Sequence, residues 1–63
     1  MTLNEVYLEG KSILKSAKIE SFSFDTMKIF EFCFNFGRQD IILFRNTVAD
    51  SKKALNFFEL INQ

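Results

Sequence analysis

Residues 22–37 read Phe-Ser-Phe-Asp-Thr-Met-Lys-Ile-Phe-Glu-Phe-Cys-Phe-Asn-Phe-Gly and hold six of the nine phenylalanines in the chain. From residue 30 to residue 36 phenylalanine occupies every second position, which is the period of a half-buried strand. A helix also fits, because Lys28, Glu31 and Asn35 would share one narrow polar stripe. Such a helix would be buried on most of its circumference. This stretch alone leaves strand and helix open.

Amphipathic patterns on both sides of this stretch favour a helix. Apolar residues recur at spacings of three and four between residues 3 and 17, at Leu3, Val6, Tyr7, Gly10, Ile13, Leu14 and Ala17. The same stripe returns near the end of the chain, at Ala54, Phe57, Phe58 and Ile61. The chain has no proline and its connections are short. We therefore predict an all-α fold, a small bundle of four helices at about 3–17, 22–34, 38–44 and 50–62.

Several residues have the spacing of helix caps. Thr2 and Glu5 match a capping box at the start of the first helix, and Asp50 is placed to cap the last one. Ser21 is predicted to cap the second helix, with Asp25 near the positive end of its dipole. The sequence Asn35-Phe36-Gly37 offers two residues that tolerate left-handed geometry, so the second helix should end there.

The sequence also predicts which residues meet in the core. Gly10 interrupts the apolar stripe of the first helix, which costs about 1 kcal/mol of helix propensity but leaves room for a ring. We expect a phenylalanine from a neighbouring helix at this position. Phe30 and Phe58 are predicted to be core rings. In the short third helix, Ile41 and Phe44 fall together and should face the core.

Composition excludes several classes of function. At 63 residues the chain is one small domain, near the size at which a hydrophobic core alone holds a fold. Eight basic and eight acidic residues give a net charge of zero, which disfavours a nucleic-acid binder, including a helix-turn-helix protein that reads DNA with its third helix. Cys33 is the only cysteine and histidine is absent, so we predict no disulfide, no metal site and a buried Cys33.

The sequence contains no recognisable catalytic constellation. It lacks a histidine, a glycine-rich phosphate loop and a nucleophile with a candidate base, so we predict no catalytic and no cofactor-binding residues. The N-terminus lacks the basic and apolar regions of a signal peptide, and no apolar run approaches the roughly 18–20 residues that span a bilayer. We therefore expect a cytoplasmic, monomeric protein.

In the order of these elements the chain resembles the N-terminal domain of the release-factor glutamine methyltransferases, the HemK/PrmC type. The resemblance covers nearly the whole chain, through the opening Met1–Val6, the segment Ser21–Thr26, the turn Gly37-Arg38, the short helix Ile41–Phe44 and the cap Asp50. Phe22 departs from the proline that is usual in the family, and Thr26 departs from its alanine. The rings at positions 30, 32, 34 and 36 are heavier than the family's aliphatic pattern.

The resemblance implies a function. Members of this family place a helical domain before a Rossmann-like domain that uses S-adenosylmethionine. The second domain carries an Asn-Pro-Pro-Tyr motif and methylates the glutamine of the Gly-Gly-Gln tip of peptide chain release factors. The helical domain helps to hold the release factor. We therefore expect residues 1–63 to be a single substrate-recognition domain that is inactive alone, with the catalytic methyltransferase domain absent from this chain.

A second function stays open, that of a free-standing small helical module for protein interaction or assembly. The reading frame after Gln63 separates the two hypotheses, because a continuation that encodes Asn-Pro-Pro-Tyr favours the first and an immediate stop codon favours the second. The candidate partner-binding residues flank the third helix: Arg38, Gln39, Arg45 and Asn46. The alternative for these four is that they only cap helix ends and solvate a turn.

Overall fold

The computed structural model describes all of residues 1–63 and contains four helices. They are α1 (Leu3–Ser16), α2 (Phe22–Phe34), α3 (Arg38–Leu43) and α4 (Ser51–Ile61). The predicted all-α bundle is confirmed, and each end lies within one residue of its predicted position. The helices α1, α2 and α4 pack against one another, whereas α3 packs loosely beside them. None of the four helices combines the length and the apolar character that a membrane-spanning helix requires.

Phe30 is the centre of the core. Its side chain is fully buried, and its ring stacks on that of Phe34 with 4.5 Å between centroids. The rings of Tyr7 and Phe57 meet it edge-on, at 5.3 Å and 5.5 Å. Such aromatic pairs contribute about 0.5–1.5 kcal/mol each beyond the burial of their area. Phe30 thus joins α2 to both α1 and α4 in one cluster.

Gly10 is the point of closest approach between α1 and α4. A Cβ atom at this position would lie 2.5 Å from both Cε2 and Cζ of Phe57. The prediction that a phenylalanine ring fills the space beside Gly10 is therefore confirmed. Phe58, which was predicted to be a core ring, is only partly buried, whereas Phe57 of the same predicted stripe is fully buried. The reason is that Phe57 and Ile61, one turn apart, both face the gap at Gly10.

One side of α2 faces the core. Its buried residues are Thr26, Phe30 and Phe34, which are spaced by four and form one stripe. The buried hydroxyl of Thr26 donates a hydrogen bond of 2.6 Å to the carbonyl of Phe22, so burial leaves it satisfied. The expectation that α2 is buried on most of its circumference is wrong, since Phe32 is 78% exposed. The helices α1 and α4 pack against α2, but α3 packs only loosely beside them, so Phe32 stays in contact with water.

Two of the predicted caps form as expected. The hydroxyl of Thr2 accepts the backbone N–H of Glu5 at 3.2 Å, and the carboxylate of Glu5 accepts the backbone N–H of Thr2 at 2.7 Å. The carboxylate of Asp50 accepts the backbone N–H groups of Lys52 and Lys53 at 2.9 Å and 3.1 Å. These bonds satisfy donors that have no partner inside the helix.

The two ends of α2 differ in part from their prediction. Ser21 occupies the N-cap position, but its hydroxyl donates to the carboxylate of Asp25 at 2.9 Å and accepts no backbone N–H. Its backbone lies outside the extended region of a typical N-cap residue, so the hydroxyl is not directed at the first turn. Asn35 closes α2 in the left-handed conformation (φ 55°), as predicted. Gly37 does not adopt it (φ −86°), because it begins α3, where its N–H donates to Asp40 at 2.9 Å.

Candidate protein-binding surface

The helix α3 contains no buried residue. Ile41 is partly buried and packs against the core, as predicted. Phe44 was predicted to face the core, but it is 45% exposed. The ring of Phe36 already lies 6.2 Å from the rings of Phe30 and Phe34, and Phe44 packs outside it at 5.8 Å. The helix is therefore attached to the domain by one edge only.

The outward side of α3 combines polar and apolar groups. Arg38 and Gln39 are exposed in its first turn. One turn further, Ile42 is 67% exposed and Leu43 is 72% exposed. Residues four apart are neighbours on a helix, so Ile42 adjoins Arg38 and Leu43 adjoins Gln39. Complete burial of one such aliphatic side chain is favourable by about 1.5–3 kcal/mol. Because both side chains stay exposed, little of this free energy contributes to the stability of the domain.

The loop after α3 is fixed to the start of α1. The carbonyl of Arg45 accepts the backbone N–H of Asn4 at 2.8 Å, and that of Thr47 accepts the N–H of Leu3 at 2.8 Å. Both donors belong to the first turn of α1, which has no carbonyl of its own to offer them. These hydrogen bonds hold Arg45 and its neighbour Asn46 beside the N-terminal end of α1.

Exposed apolar side chains continue along this loop. The N–H of Ala49 donates to the carbonyl of Met1 at 2.9 Å, and Val48 forms an isolated antiparallel bridge with Thr2. Val48 is 75% exposed, and Met1 beside it is exposed as well. We use the name α3 surface for the exposed side chains of α3 and this loop: Arg38, Gln39, Ile42, Leu43, Arg45, Asn46 and Val48. Concentrations of exposed apolar groups framed by polar ones are typical of protein-binding sites.

The charge on the α3 surface is positive. Arg38 and Arg45 are the only arginines in the chain, and both are exposed. The single ion pair of the molecule lies elsewhere, between Lys28 and Glu31 on α2, at 3.8 Å. Asp40 is the only acid between residues 38 and 49, and its carboxylate accepts the N–H of Gly37.

The groups whose pKa is shifted lie outside the α3 surface. The backbone N–H of Thr2 is the main reason why the pKa of Glu5 is lowered. Partial burial raises the pKa of the Cys33 thiol. Cys33 was predicted to be buried, but it is only half-buried. Burial, and then the charge of Glu31, raise the pKa of Tyr7. No three potential metal ligands of the chain come together.

An open cleft lies on another part of the molecule, between α1 and the start of α2. Its volume is about 340 Å³, and it is lined by Leu8, Lys11, Ser12, Lys15 and Phe22. The ammonium group of Lys15 stands 5.9 Å from the centroid of the Phe22 ring, a distance suited to a cation–π contact. The cleft is thus a shallow depression between two lysine side chains and one aromatic edge.

The four partner-binding residues that the sequence predicts are all exposed. Arg38 and Gln39 begin α3, while Arg45 and Asn46 follow its end. They therefore form two polar pairs at opposite ends of the helix. Neither pair caps a helix through its side chains, because the side-chain caps of the chain come from other residues.

The prediction missed the apolar part of this surface. Ile42 and Leu43 lie between the two polar pairs and, like Val48, are largely exposed. A signal for them was present in the run Ile41-Ile42-Leu43-Phe44, since a helix that turns Ile41 inward must turn Ile42 and Leu43 outward.

No protein-family model, no curated protein and no solved structure matches this chain. The α3 surface and the resemblance of the sequence are therefore the two sources from which its function is inferred.

Proposed function

We propose that residues 1–63 form the release-factor-recognition domain of a protein-glutamine methyltransferase that uses S-adenosylmethionine as its methyl donor. The observation that carries this proposal is the α3 surface, where Ile42, Leu43 and Val48 stay exposed between polar side chains. The resemblance of the sequence to that domain is the other ground for this proposal.

The α3 surface would act by burying its aliphatic side chains against the release factor. Ile42 and Leu43 are successive residues, about 100° apart on the exposed part of a short helix, so a broad partner surface can cover both. The polar pairs at the two ends would orient the partner and exclude misaligned contacts. A standard interface buries about 800 Å² on each partner, and a domain of this size offers only part of that area. We therefore expect a dissociation constant in the micromolar range or weaker, about 8 kcal/mol or less.

In this proposal the domain positions its substrate protein and leaves the chemistry to a separate catalytic domain. The isolated chain is expected neither to bind S-adenosylmethionine nor to transfer a methyl group. Isothermal titration calorimetry of the 63 residues with S-adenosylmethionine should show no heat of binding. Tight binding of this cofactor would contradict the assignment of these residues to recognition alone.

Nuclear magnetic resonance tests the proposal directly. Unmodified release factor is added to the labelled domain, and we expect the shifted amide signals to fall at Ile42, Leu43, Val48 and their neighbours. The double variant Ile42→Ser/Leu43→Ser should lose this response while its circular dichroism spectrum stays helical. The matched control is Phe32→Ser, which replaces an equally exposed apolar residue on α2 and should bind like the unchanged protein.

Two outcomes would overturn the proposal. Shifts confined to another side of the domain would reject the α3 surface as the binding site. An unchanged spectrum at high micromolar concentrations of release factor would reject this protein as the partner of the domain.

A further inference from the structure

Arg38 and Arg45 stand at the two ends of α3 without an intramolecular carboxylate partner. The only ion pair of the molecule joins Lys28 to Glu31 on a different helix. Both arginines are exposed, and the chain has no other arginine. A guanidinium group presents a planar fork of donors that matches a carboxylate in two-point geometry, which an ammonium group does not. These positions therefore suit the recognition of carboxylates.

Three acids lie close to the two arginines in sequence or belong to the helix to which the loop of Arg45 is fixed, and all three accept backbone N–H groups. Asp40 accepts the N–H of Gly37 at 2.9 Å, and Glu5, in the helix to which the loop of Arg45 is fixed, accepts the N–H of Thr2 at 2.7 Å. Asp50, which follows the loop, accepts two backbone N–H groups at the start of α4. These three acids keep their charges but serve as helix caps, and neither arginine forms an ion pair with them, so both guanidinium groups remain available to a partner.

The spacing of the arginines limits the shape of that partner. Arg38 begins α3 and Arg45 lies in the turn two residues beyond its end, and a helix of six residues is about 9 Å long. Ile42 and Leu43 lie between them and are exposed. An α-helix that runs alongside α3 repeats its side chains at the same intervals, so positions i and i+7 of that helix lie about 10 Å apart on one side. The domain has no β-sheet whose edge could accept an extended peptide.

We propose that the segment which binds the α3 surface is an acidic amphipathic helix, an inference that rests on the proposed function for the role of this surface. Two carboxylates at positions i and i+7 of the helix pair with Arg38 and Arg45. Leucine-like side chains at i+3 and i+4 cover Ile42 and Leu43. Charge complementarity sets the orientation and the apolar contact supplies most of the affinity.

Two synthetic helical peptides test this inference against the labelled full chain. The first carries glutamates at positions i and i+7 with leucines at i+3 and i+4, and the second carries lysines in place of the two glutamates. The acidic peptide is expected to shift the amide signals of the α3 surface, with an affinity that falls as salt is raised. The lysine peptide is expected to bind about tenfold more weakly.

The arginines are then changed in the protein. The double variant Arg38→Glu/Arg45→Glu should weaken binding of the acidic peptide about tenfold and improve binding of the lysine peptide. Lys52→Glu/Lys53→Glu is the matched control, since it makes the same change in charge at exposed positions of α4 and should change affinity less than twofold. All four side chains are exposed, so we expect each variant to keep its helical circular dichroism spectrum.

The results separate this inference from the proposed function. Equal binding of the two peptides, or an unchanged affinity after Arg38→Glu/Arg45→Glu, would overturn the acidic helix. If release factor still bound the α3 surface of that variant at full strength, the acidic helix would be rejected and the proposed function would stand. If the acidic peptide bound the α3 surface and release factor did not, the acidic helix would be supported and the proposed function would be rejected.

Discussion

An alanine at position 10 is expected to destabilise the domain, although glycine-to-alanine changes inside helices usually have the opposite effect. The gain in helix propensity is about 1 kcal/mol. Against it, the new Cβ atom would lie 2.5 Å from two carbons of the Phe57 ring, where the optimal separation of carbon atoms is about 3.5–4.0 Å. The ring is fully buried, with Phe30 edge-on at 5.5 Å and Phe34 at 6.3 Å, so it has no free space in which to move.

The net effect follows from the difference between these two contributions. Overpacking of a filled core costs about 1–3 kcal/mol, and two simultaneous overlaps with a fixed ring place Gly10→Ala in the upper part of that range. After the gain in propensity is subtracted, we expect a loss of about 1–2 kcal/mol. A domain of this length has a total stability of roughly 3–9 kcal/mol, so the loss is measurable.

Urea denaturation followed by far-ultraviolet circular dichroism measures this loss. Ser12→Ala, an exposed change within the same helix, is the control and should be neutral or slightly stabilising. In a Phe57→Leu background the overlap disappears, and Gly10→Ala should then stabilise the domain. The change of sign isolates the contact between the two residues. A higher denaturation midpoint for Gly10→Ala in the unchanged background would refute the reasoning.

Two further predictions concern the core and the response to acid. Phe30→Ala should lower the free energy of unfolding by about 3–5 kcal/mol and leave the domain largely unfolded. Phe32→Ala, on the exposed side of α2, should change it by no more than about 0.5 kcal/mol. Equal urea midpoints for the two variants would disprove the assignment of the core. Folding lowers the pKa of Glu5 below its usual value of 4.5. The ionised carboxylate therefore stabilises the folded domain above pH 4.5, and this stabilisation is lost as the pH falls through the lower pKa of the folded state. The Glu5→Gln variant should therefore lose less stability than the unchanged protein when the pH is lowered. If the melting temperatures of the two proteins fell by the same amount between neutral pH and pH 3, this role of Glu5 would be rejected.

The helices could be predicted because their signals are local. The stripes of α1 and α4 and the caps at Thr2 and Asp50 depend on residues within a few positions of one another. The conformation of residues 22–37 could not be decided from its own pattern, since alternating rings fit a strand and a helix equally well. Its neighbours decided it, because a bundle of α1 and α4 leaves a place for a third helix.

The remaining differences arise from packing across the chain. Which of two adjacent rings of α4 is buried depends on the space at Gly10, a residue that lies far away in sequence. Ser21 was expected to cap α2, but a nearby carboxylate competes for its hydroxyl. Lys18, two residues after the end of α1, adopts the left-handed conformation (φ 61°), for which a lysine gives no signal in sequence.

The candidate surface was predicted in part. The exposure of its four polar residues followed from their position around a short helix, and the structure agrees. The exposure of Phe44 did not follow, because it depends on the place that Phe36 takes beside Phe30 and Phe34. The release factor as partner stays a prediction.

The hydrogen bonds that join the start of α1 to the loop after α3 affect when the domain can fold during translation. Leu3 and Asn4 emerge first, but the carbonyls of Thr47 and Arg45 that accept their N–H groups are synthesised much later. Until then, water must solvate these donors and the first turn of α1 can fray. The ring that fills the space at Gly10 comes later still, from Phe57. Residues 1–63 are thus expected to become compact only after α4 has left the ribosome, and until then their apolar rings are exposed to solvent and to chaperones.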